Sequence, residues 1–520
     1  MAVKDIPETH IKLTPFDHCV PRAYYYGCVY LPLKTGVSYG KAFDLFHEGL
    51  RQLFVQIPWL NGDVHLQQPT TAGWRPGQLE IRYRPLAPTD PLPPQLRYNE
   101  LDTDLDFASL RELGFAPDAF RDDDIMPPTG FFADPKVASG PVFAAQANFV
   151  DGGCLLVSAL HHSASDTVGY YHIVRMWAAQ CAALQEGGGP PEAFAAGSDS
   201  HALLHEIWTR ETPGLTAEDV NPETWRLVGL DPKDMRVLKQ GEAPPNEDGG
   251  SVWATETGAT GPPKLPGGRK LKTAVFYLPT ARLAALCKAV ADELGDSSSV
   301  GTNDAVCALI WRCFIRARVA TRRARGFSSP EDDSESAITK LNLIYDGRAT
   351  YSSALPPTYL GNITFNIFSE MPLSQLVGPE SSLGPITLLL RKNAGHGDQE
   401  NLLNLYNLLD HMPSYDELIK KKRRRMPMID GNNMQVSSLM HIPLDAVCFG
   451  DGAVLGNKGC PEASRLLMDA SNSFTRTCLV LPRNKNAGVE VLVGLYDEEL
   501  DSLMADEDFT RYALCLCRPE

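Results

Sequence analysis

The sequence predicts an α+β protein of two domains, and three observations lead there. Its 520 residues are too many for one compact core. A Gly- and Pro-rich stretch divides the chain near its middle, opening with GGGPPEAFAAGS after Gly187 and closing with GEAPPNEDGGSVWATETGATGPPKLPGGRK around Arg269. On both sides of it short strand-like runs are interspersed with helical patterns. GDGAVLGNKG is rich in glycine but lacks a strand–turn–helix setting, which excludes a nucleotide-binding doubly wound sheet. The expected domains are residues 1–186 and 270–520, with a crossover and linker over 187–269.

In chain order, Leu13 to Leu33 reads as a turn followed by an aromatic-rich strand. Tyr39 to Gln56 places Ala42, Phe43, Phe46, Leu50, Leu53 and Phe54 on one side of a helix. Pro58 stops that helix, and WLNGDVHL turns into a strand. GPVFAAQANF, the turn DGG and the run into His162 form an antiparallel pair. Leu155, Leu156, Val157 and Leu160 suit a strand buried on both faces. After Asp166, Val168, Tyr171, Ile173, Val174 and Trp177 fall close to helical spacing. The second half opens with the strand LKTAVFYL and a helix from Thr280; Thr302-Asn303-Asp304 then supplies caps for the helix AVCALIWRCFIRARVA. KLNLIYDGR and NITFNIF are candidate strands, TCLVLPR and GVEVLVGLY a hairpin, and Glu498 to Ala513 a last amphipathic helix.

Hydrophobic content of 43% and charged content of 22% describe an ordinary globular protein. The net charge, 48 − 64 = −16, argues against nucleic acid or an anionic membrane as partner. Twelve cysteines show neither CxxC pairs nor metal-ligand spacing and read as small buried hydrophobes in a reducing compartment. MAVKDIPETHIKL has no apolar core like that of a signal peptide, CRPE is no retention or peroxisomal signal, and no run is long enough to span a bilayer. These features lead us to expect a cytoplasmic, monomeric enzyme. The charge block Lys420 to Arg425 reads as a solvated loop or helix end, with a phosphate contact or a nuclear-import signal as the sharper alternatives.

The chemistry concentrates at His162, where a strand gives out and a helix starts. A histidine titrates near neutrality and can take a proton from a hydroxyl. Asp166, four residues on, either orients the imidazole or braces the loop. Taken alone, HxxxD is equally a pair of hydrogen-bonded histidines at a strand end. His161 precedes His162 and should point the opposite way along an extended chain.

In order along the chain, LTPFDHCVPRAYYY, IPWLNGDV, ALHHSASD, TNDAVCALIWR, YDGR, PPTYLGN, SSLMHIPLDAVCFGDG and LPRNKNAGVEVLVGLYDEELDSL resemble the motifs of the BAHD acyltransferases. The likeness is greatest to the fungal branch containing the trichothecene 3-O-acetyltransferases. It implies an α+β fold of two chloramphenicol-acetyltransferase-like domains with mixed sheets, joined by a crossover loop, with an active-site tunnel between them. It further implies acyl-CoA, most simply acetyl-CoA, as co-substrate, a small-molecule alcohol as acceptor, no metal, and His162 as general base. By the same resemblance Asp166 is structural and pairs with Arg348. The family's CoA-contacting stretches map to Gly301, Thr302, Asn303 and Asp304, to Asp346 through Arg348, and to Ser437 and Ser438.

The family's DFGWG stands here as Cys448, Phe449, Gly450, Asp451 and Gly452, expected to shape the channel loop, with Cys448 a small apolar thiol around which that loop is repacked. Thr167 replaces the glycine that follows HxxxD. The resemblance thus implies an acyl-CoA-dependent O-acyltransferase acting on a secondary metabolite. The alternatives are an amide-forming, condensation-type N-acyltransferase and a catalytically altered member that binds a small ligand.

Overall fold

The strand Gly153–His161 is buried along its whole length, as is its antiparallel partner Phe143–Val150. Gly152, at φ 79°, occupies the left-handed position that the tight turn between them requires. These two are central in a five-stranded sheet ordered Ala463–Leu466, Tyr24–Pro32, Gly153–His161, Phe143–Val150, Leu96–Glu100, the last pair running parallel. The structure is a computed structural model that describes residues 7–87, 90–131, 133, 139–235, 271–295, 301–326, 337–424, 431–443, 446–468, 472, 476–483 and 488–518.

The helix Tyr39–Gln56 starts where Ser38 Oγ accepts from the Lys41 N–H, and it buries Ala42, Phe46, Gly49, Leu50, Leu53 and Phe54. It packs against the helix Thr167–Glu186 so closely that a Cβ on Gly49 would collide with Cys181 Sγ. Both helices and the five-stranded sheet enclose the first core.

A second core lies between a seven-stranded sheet and the helix Thr302–Ala324. Its strands are ordered Thr364–Pro372, Ile338–Asp346, Met434–Ser438, Thr477–Val480, Val489–Leu495, Lys272–Leu278, Leu514–Cys517. Met434–Ser438 runs parallel to both neighbours and the other pairings are antiparallel, so both large sheets are mixed. The two cores form a two-domain α+β architecture. The halves also exchange chain: Ala463–Leu466 pairs antiparallel with Tyr24–Pro32, and Val447, Phe449, Val454 and Leu455 pack into the first core.

Four expectations need correction. Part of the stretch read as loop and linker is packed structure. The helix Leu203–Glu211 and the 3₁₀ turns Pro222–Val228 bury Leu204, Ile207, Trp225 and Val228 against Tyr351, Phe365 and Leu402. Their few apolar residues sit among glycines, prolines and charges, so composition hid them; residues 236–270 lie outside the described residues.

The helix at 302 is capped by Gly301 without a side-chain bond, because Asn303 Oδ1 accepts from Ser438 Oγ instead and Asp304 faces Arg391. The last helix is two, Asp497–Met504 and Glu507–Thr510. Asp506 breaks it by accepting from the Asp508 and Phe509 N–H groups. Finally, Cys448 and Cys460 are joined in a disulfide, so this pair is not the reduced, buried thiols expected; twelve residues of separation carry no pairing signal. The helix Tyr415–Arg424 contains most of the basic run, and Arg425 lies outside the described residues.

Candidate active site

Between the end of the strand at His161 and the start of the helix at Thr167 the chain turns in five residues, His162 to Asp166. Asp166 caps that helix, its Oδ1 accepting from the Gly169 N–H at 2.9 Å. The two histidines diverge, as alternation along a strand requires. His161 is fully buried, edge-on to Tyr24, and its Nδ1 accepts from the Ser163 N–H at 3.1 Å. Burial pushes its pKa down to about 3, so it stays neutral.

The His162 ring is edge-on to Tyr25 at 5.0 Å, and its Nδ1 lies 3.3 Å from the Ser165 carbonyl oxygen. A carbonyl only accepts, so Nδ1 carries the proton and Nε2 presents a lone pair. The Asn362 side chain also acts on the ring, its hydrogen bonding favouring the protonated imidazole. Burial lowers the His162 pKa from its ordinary value, against the opposing charge of Asp166, which favours the neutral imidazole. The arrangement can accept a proton at Nε2 with Nδ1 already anchored.

Asp166 and Arg348 are both almost wholly buried and joined by two parallel bonds, 3.1 Å from one terminal guanidinium nitrogen to Oδ2 and 2.8 Å from the other to Oδ1. The remaining guanidinium donors reach the carbonyls of Tyr359 and Gly361 and the Asp346 carboxylate. Burial would raise the Asp346 pKa, but hydrogen bonding from His441 and the Arg348 charge outweigh it and hold the carboxyl well below the usual range. Asp166 is therefore placed away from the His162 ring nitrogens, as a helix cap and ion-pair partner.

A second polar bridge was not anticipated from the sequence. Asn362 Nδ2 donates to the His162 carbonyl at 2.8 Å and to Asp17 Oδ1 at 2.9 Å. Asp17 Oδ2 in turn accepts from the backbone and hydroxyl of Thr14. His201 Nε2 lies 3.0 Å from the Ala164 carbonyl oxygen, bracing the same turn. LTPFDH and PPTYLGN drew attention as motifs, yet their contacts cross 345 positions and no local pattern reveals them.

The residues expected to contact CoA fall in two neighbouring groups. Asn303 and Ser438 meet through a 2.6 Å hydrogen bond, with Gly301, Thr302 and Asp304 adjacent in the chain and Ser437 beside them. Ser437 pairs across the sheet with Ile344, two residues before Asp346, which leads to Arg348. Cys448 to Gly452 do not join His162. Gln185, at the far end of the helix Thr167–Glu186, donates to the Phe449 carbonyl at 2.6 Å and the Gly450 carbonyl at 3.1 Å. At about 1.5 Å per residue that end lies roughly 27 Å from the histidine turn. Phe449 is wedged between Phe46 and Trp177, while Asp451 is exposed and 3.4 Å from Lys34 Nζ.

Among the described residues no group of three His, Cys, Asp or Glu is placed to hold a metal ion, and no helix is long and apolar enough to cross a membrane.

Residues 24–181 match the trichothecene 3-O-acetyltransferase-like N-terminal domain, and residues 267–510 match the Transferase family. The chain is 29% identical to the isocyanide synthase-NRPS hybrid crmA of Aspergillus fumigatus, over 96% of this chain but 31% of that longer protein. It is 24% identical to the eremophilane O-acetyltransferase prx11 of Penicillium rubens, over 97% of this chain and 98% of that one. The fold matches F. graminearum TRI101 complexed with ethyl coenzyme A at a TM-score of 0.70 and 18% identity, covering 98% of this chain and 100% of that one. The chain thus carries a trichothecene 3-O-acetyltransferase-like domain in its first half and a Transferase-family domain in its second, the make-up of an acyl-transferring enzyme.

Proposed function

We propose that the protein transfers an acyl group, most simply acetyl, from acyl-CoA to a hydroxyl of a small-molecule secondary metabolite, with His162 as general base. The observation that carries this reading is the half-buried imidazole of His162, anchored through Nδ1 on the Ser165 carbonyl so that the lone pair of the neutral ring lies at Nε2. Nε2 takes the proton of the acceptor hydroxyl as its oxygen attacks the thioester carbonyl. The tetrahedral intermediate then collapses, the C–S bond breaks, and the same proton passes from Nε2 to the leaving thiolate, giving free CoA. Base assistance of this kind contributes roughly 10²–10⁴-fold, and holding both substrates together can contribute more.

Support for acyl-CoA and an alcohol acceptor comes from relatives named as O-acetyltransferases and from TRI101, whose fold matches and which was solved with coenzyme A and T-2. In this reading the cluster of Gly301 to Asp304 with Ser437 and Ser438 contacts CoA, and Asp166 with Arg348 keeps the base-bearing turn in shape. The test incubates purified protein with acetyl-CoA and panels of alcohols and amines and follows free thiol. His162→Ala should abolish turnover while folding normally, and His161→Ala should retain it. Equal loss in the two variants overturns the assignment of the base. Turnover with amines alone establishes the condensation-type reading instead.

A further inference from the structure

We propose that Tyr25 is a positioning residue for the reaction: it grips both the His162 ring and the carbonyl from which that ring hangs. The inference rests on His162 being the base.

Tyr25 lies on the strand Tyr24–Pro32, opposite Leu160 of the strand that leads into the histidines. Alternation sends Tyr24 to His161 and Tyr25 to His162, so each histidine meets its own tyrosine. The Tyr25 hydroxyl donates to the Ser165 carbonyl at 3.0 Å. That same oxygen receives His162 Nδ1 at 3.3 Å, near the long limit for a hydrogen bond. One carbonyl has two lone pairs and can serve both donors. A bond this long fixes an imidazole poorly by itself. The Tyr25 ring, standing at 86° to the imidazole, supplies the second constraint, and its hydroxyl keeps the shared carbonyl from drifting.

Tyr25 is itself held. Its ring meets Tyr170 at 5.5 Å and 82°, and the Tyr170 hydroxyl is 2.8 Å from Ser158 Oγ. Burial raises the Tyr25 pKa well above its ordinary value, so the hydroxyl keeps its proton. His201 braces the turn at the Ala164 carbonyl, and Asn362 acts on the His162 carbonyl and ring, whereas Tyr25 meets both the ring and the carbonyl that holds Nδ1.

Tyr25→Phe removes the carbonyl contact and keeps the ring; Tyr25→Leu removes both. Steady-state kinetics with acetyl-CoA and the best alcohol of the panel should show kcat reduced about tenfold in Tyr25→Phe and further in Tyr25→Leu, with both KM values holding within about twofold. Spectra of the substrate-free enzyme with ¹⁵N-labelled histidine should show one His162 tautomer in the wild type and a mixture in Tyr25→Phe. A wild-type kcat with an unchanged His162 spectrum in Tyr25→Phe overturns the inference, as does a rise in KM with kcat untouched. His162→Ala, run alongside, separates the two claims. Turnover surviving in His162→Ala sinks the base assignment, whereas a dead His162→Ala beside a wild-type Tyr25→Phe sinks the positioning role alone.

Discussion

Arg348 bridges Asp166 on one domain and Asp346 at the end of its own strand, spending every guanidinium donor on a carboxylate or a carbonyl. Asp166 is equally committed, because it also caps its helix and accepts from the Ile363 N–H at 3.0 Å. Removing one charge leaves the other buried and unpaired, which typically costs about 3–5 kcal/mol. Asp166→Asn should therefore lower the thermal midpoint sharply. Exchanging the pair, Asp166→Arg with Arg348→Asp, should not rescue it, since the exchange sets an arginine against the Gly169 and Ile363 N–H groups. A stable Asp166→Asn enzyme that only lacks turnover would make the carboxylate catalytic.

Stability should begin to fall on acidification before the carboxylates titrate. His18 and His161 are buried and neutral, burial having pushed both pKa values down to about 3. The unfolded chain protonates these groups below about pH 6.5 while the folded chain does not. Their stabilising effect is thus fully present above that pH and declines as pH falls toward 3. The slope is about 1.4 kcal/mol per pH unit for each histidine. Urea unfolding between pH 7 and pH 5 checks this, and a flat profile refutes it.

Asn362→Ala cuts the link between Asp17 and the His162 carbonyl. It leaves Asp17 with fewer donors in a fully buried site, so a loss of about 1–3 kcal/mol is expected. Asn362→Asp should be worse, since it sets a second carboxylate against Asp17. If Asn362→Asp matches wild type in a thermal melt, Asp17 is protonated in the native state.

The Cys448–Cys460 link closes a loop of about twelve residues, for which chain entropy predicts a stabilisation of about 3 kcal/mol. Cys448→Ser and Cys460→Ser should melt alike, and the double variant no lower than either. Cys448→Asp should melt at least as low as Cys448→Ser. Wild-type midpoints in the serine variants under non-reducing conditions would show that the loop stands without the bond.

Where a local period decides an element, the sequence was enough. The helix Tyr39–Gln56 begins and ends where its apolar stripe and Pro58 place it, and the strand into His162 is buried on both faces. The pairing of Asp166 with Arg348 was reached through resemblance, not pattern. What the sequence hid is of two kinds. The bridge from Asp17 through Asn362 and the covalent link from Cys448 depend on where the chain returns in space, which no local period encodes. Leu204, Ile207 and Trp225 are too sparse among polar residues to announce their helices, and only their fit against Tyr351 and Leu402 buries them.

The strand exchange sets a timetable for biosynthesis. Tyr24–Pro32 leaves the ribosome well before its outer neighbour Ala463–Leu466, which follows only after 463 − 32 = 431 further positions. At roughly 5–20 residues per second that is a wait of about 20–90 s. Through that interval the nascent first domain presents an unpaired β edge and lacks the cover of Phe449, Val454 and Leu455. An open edge of this sort is a template for pairing with other chains. Slow translation ahead of Ala463, or truncation before it, should therefore direct this protein toward aggregates and chaperone capture, however stable the finished enzyme is.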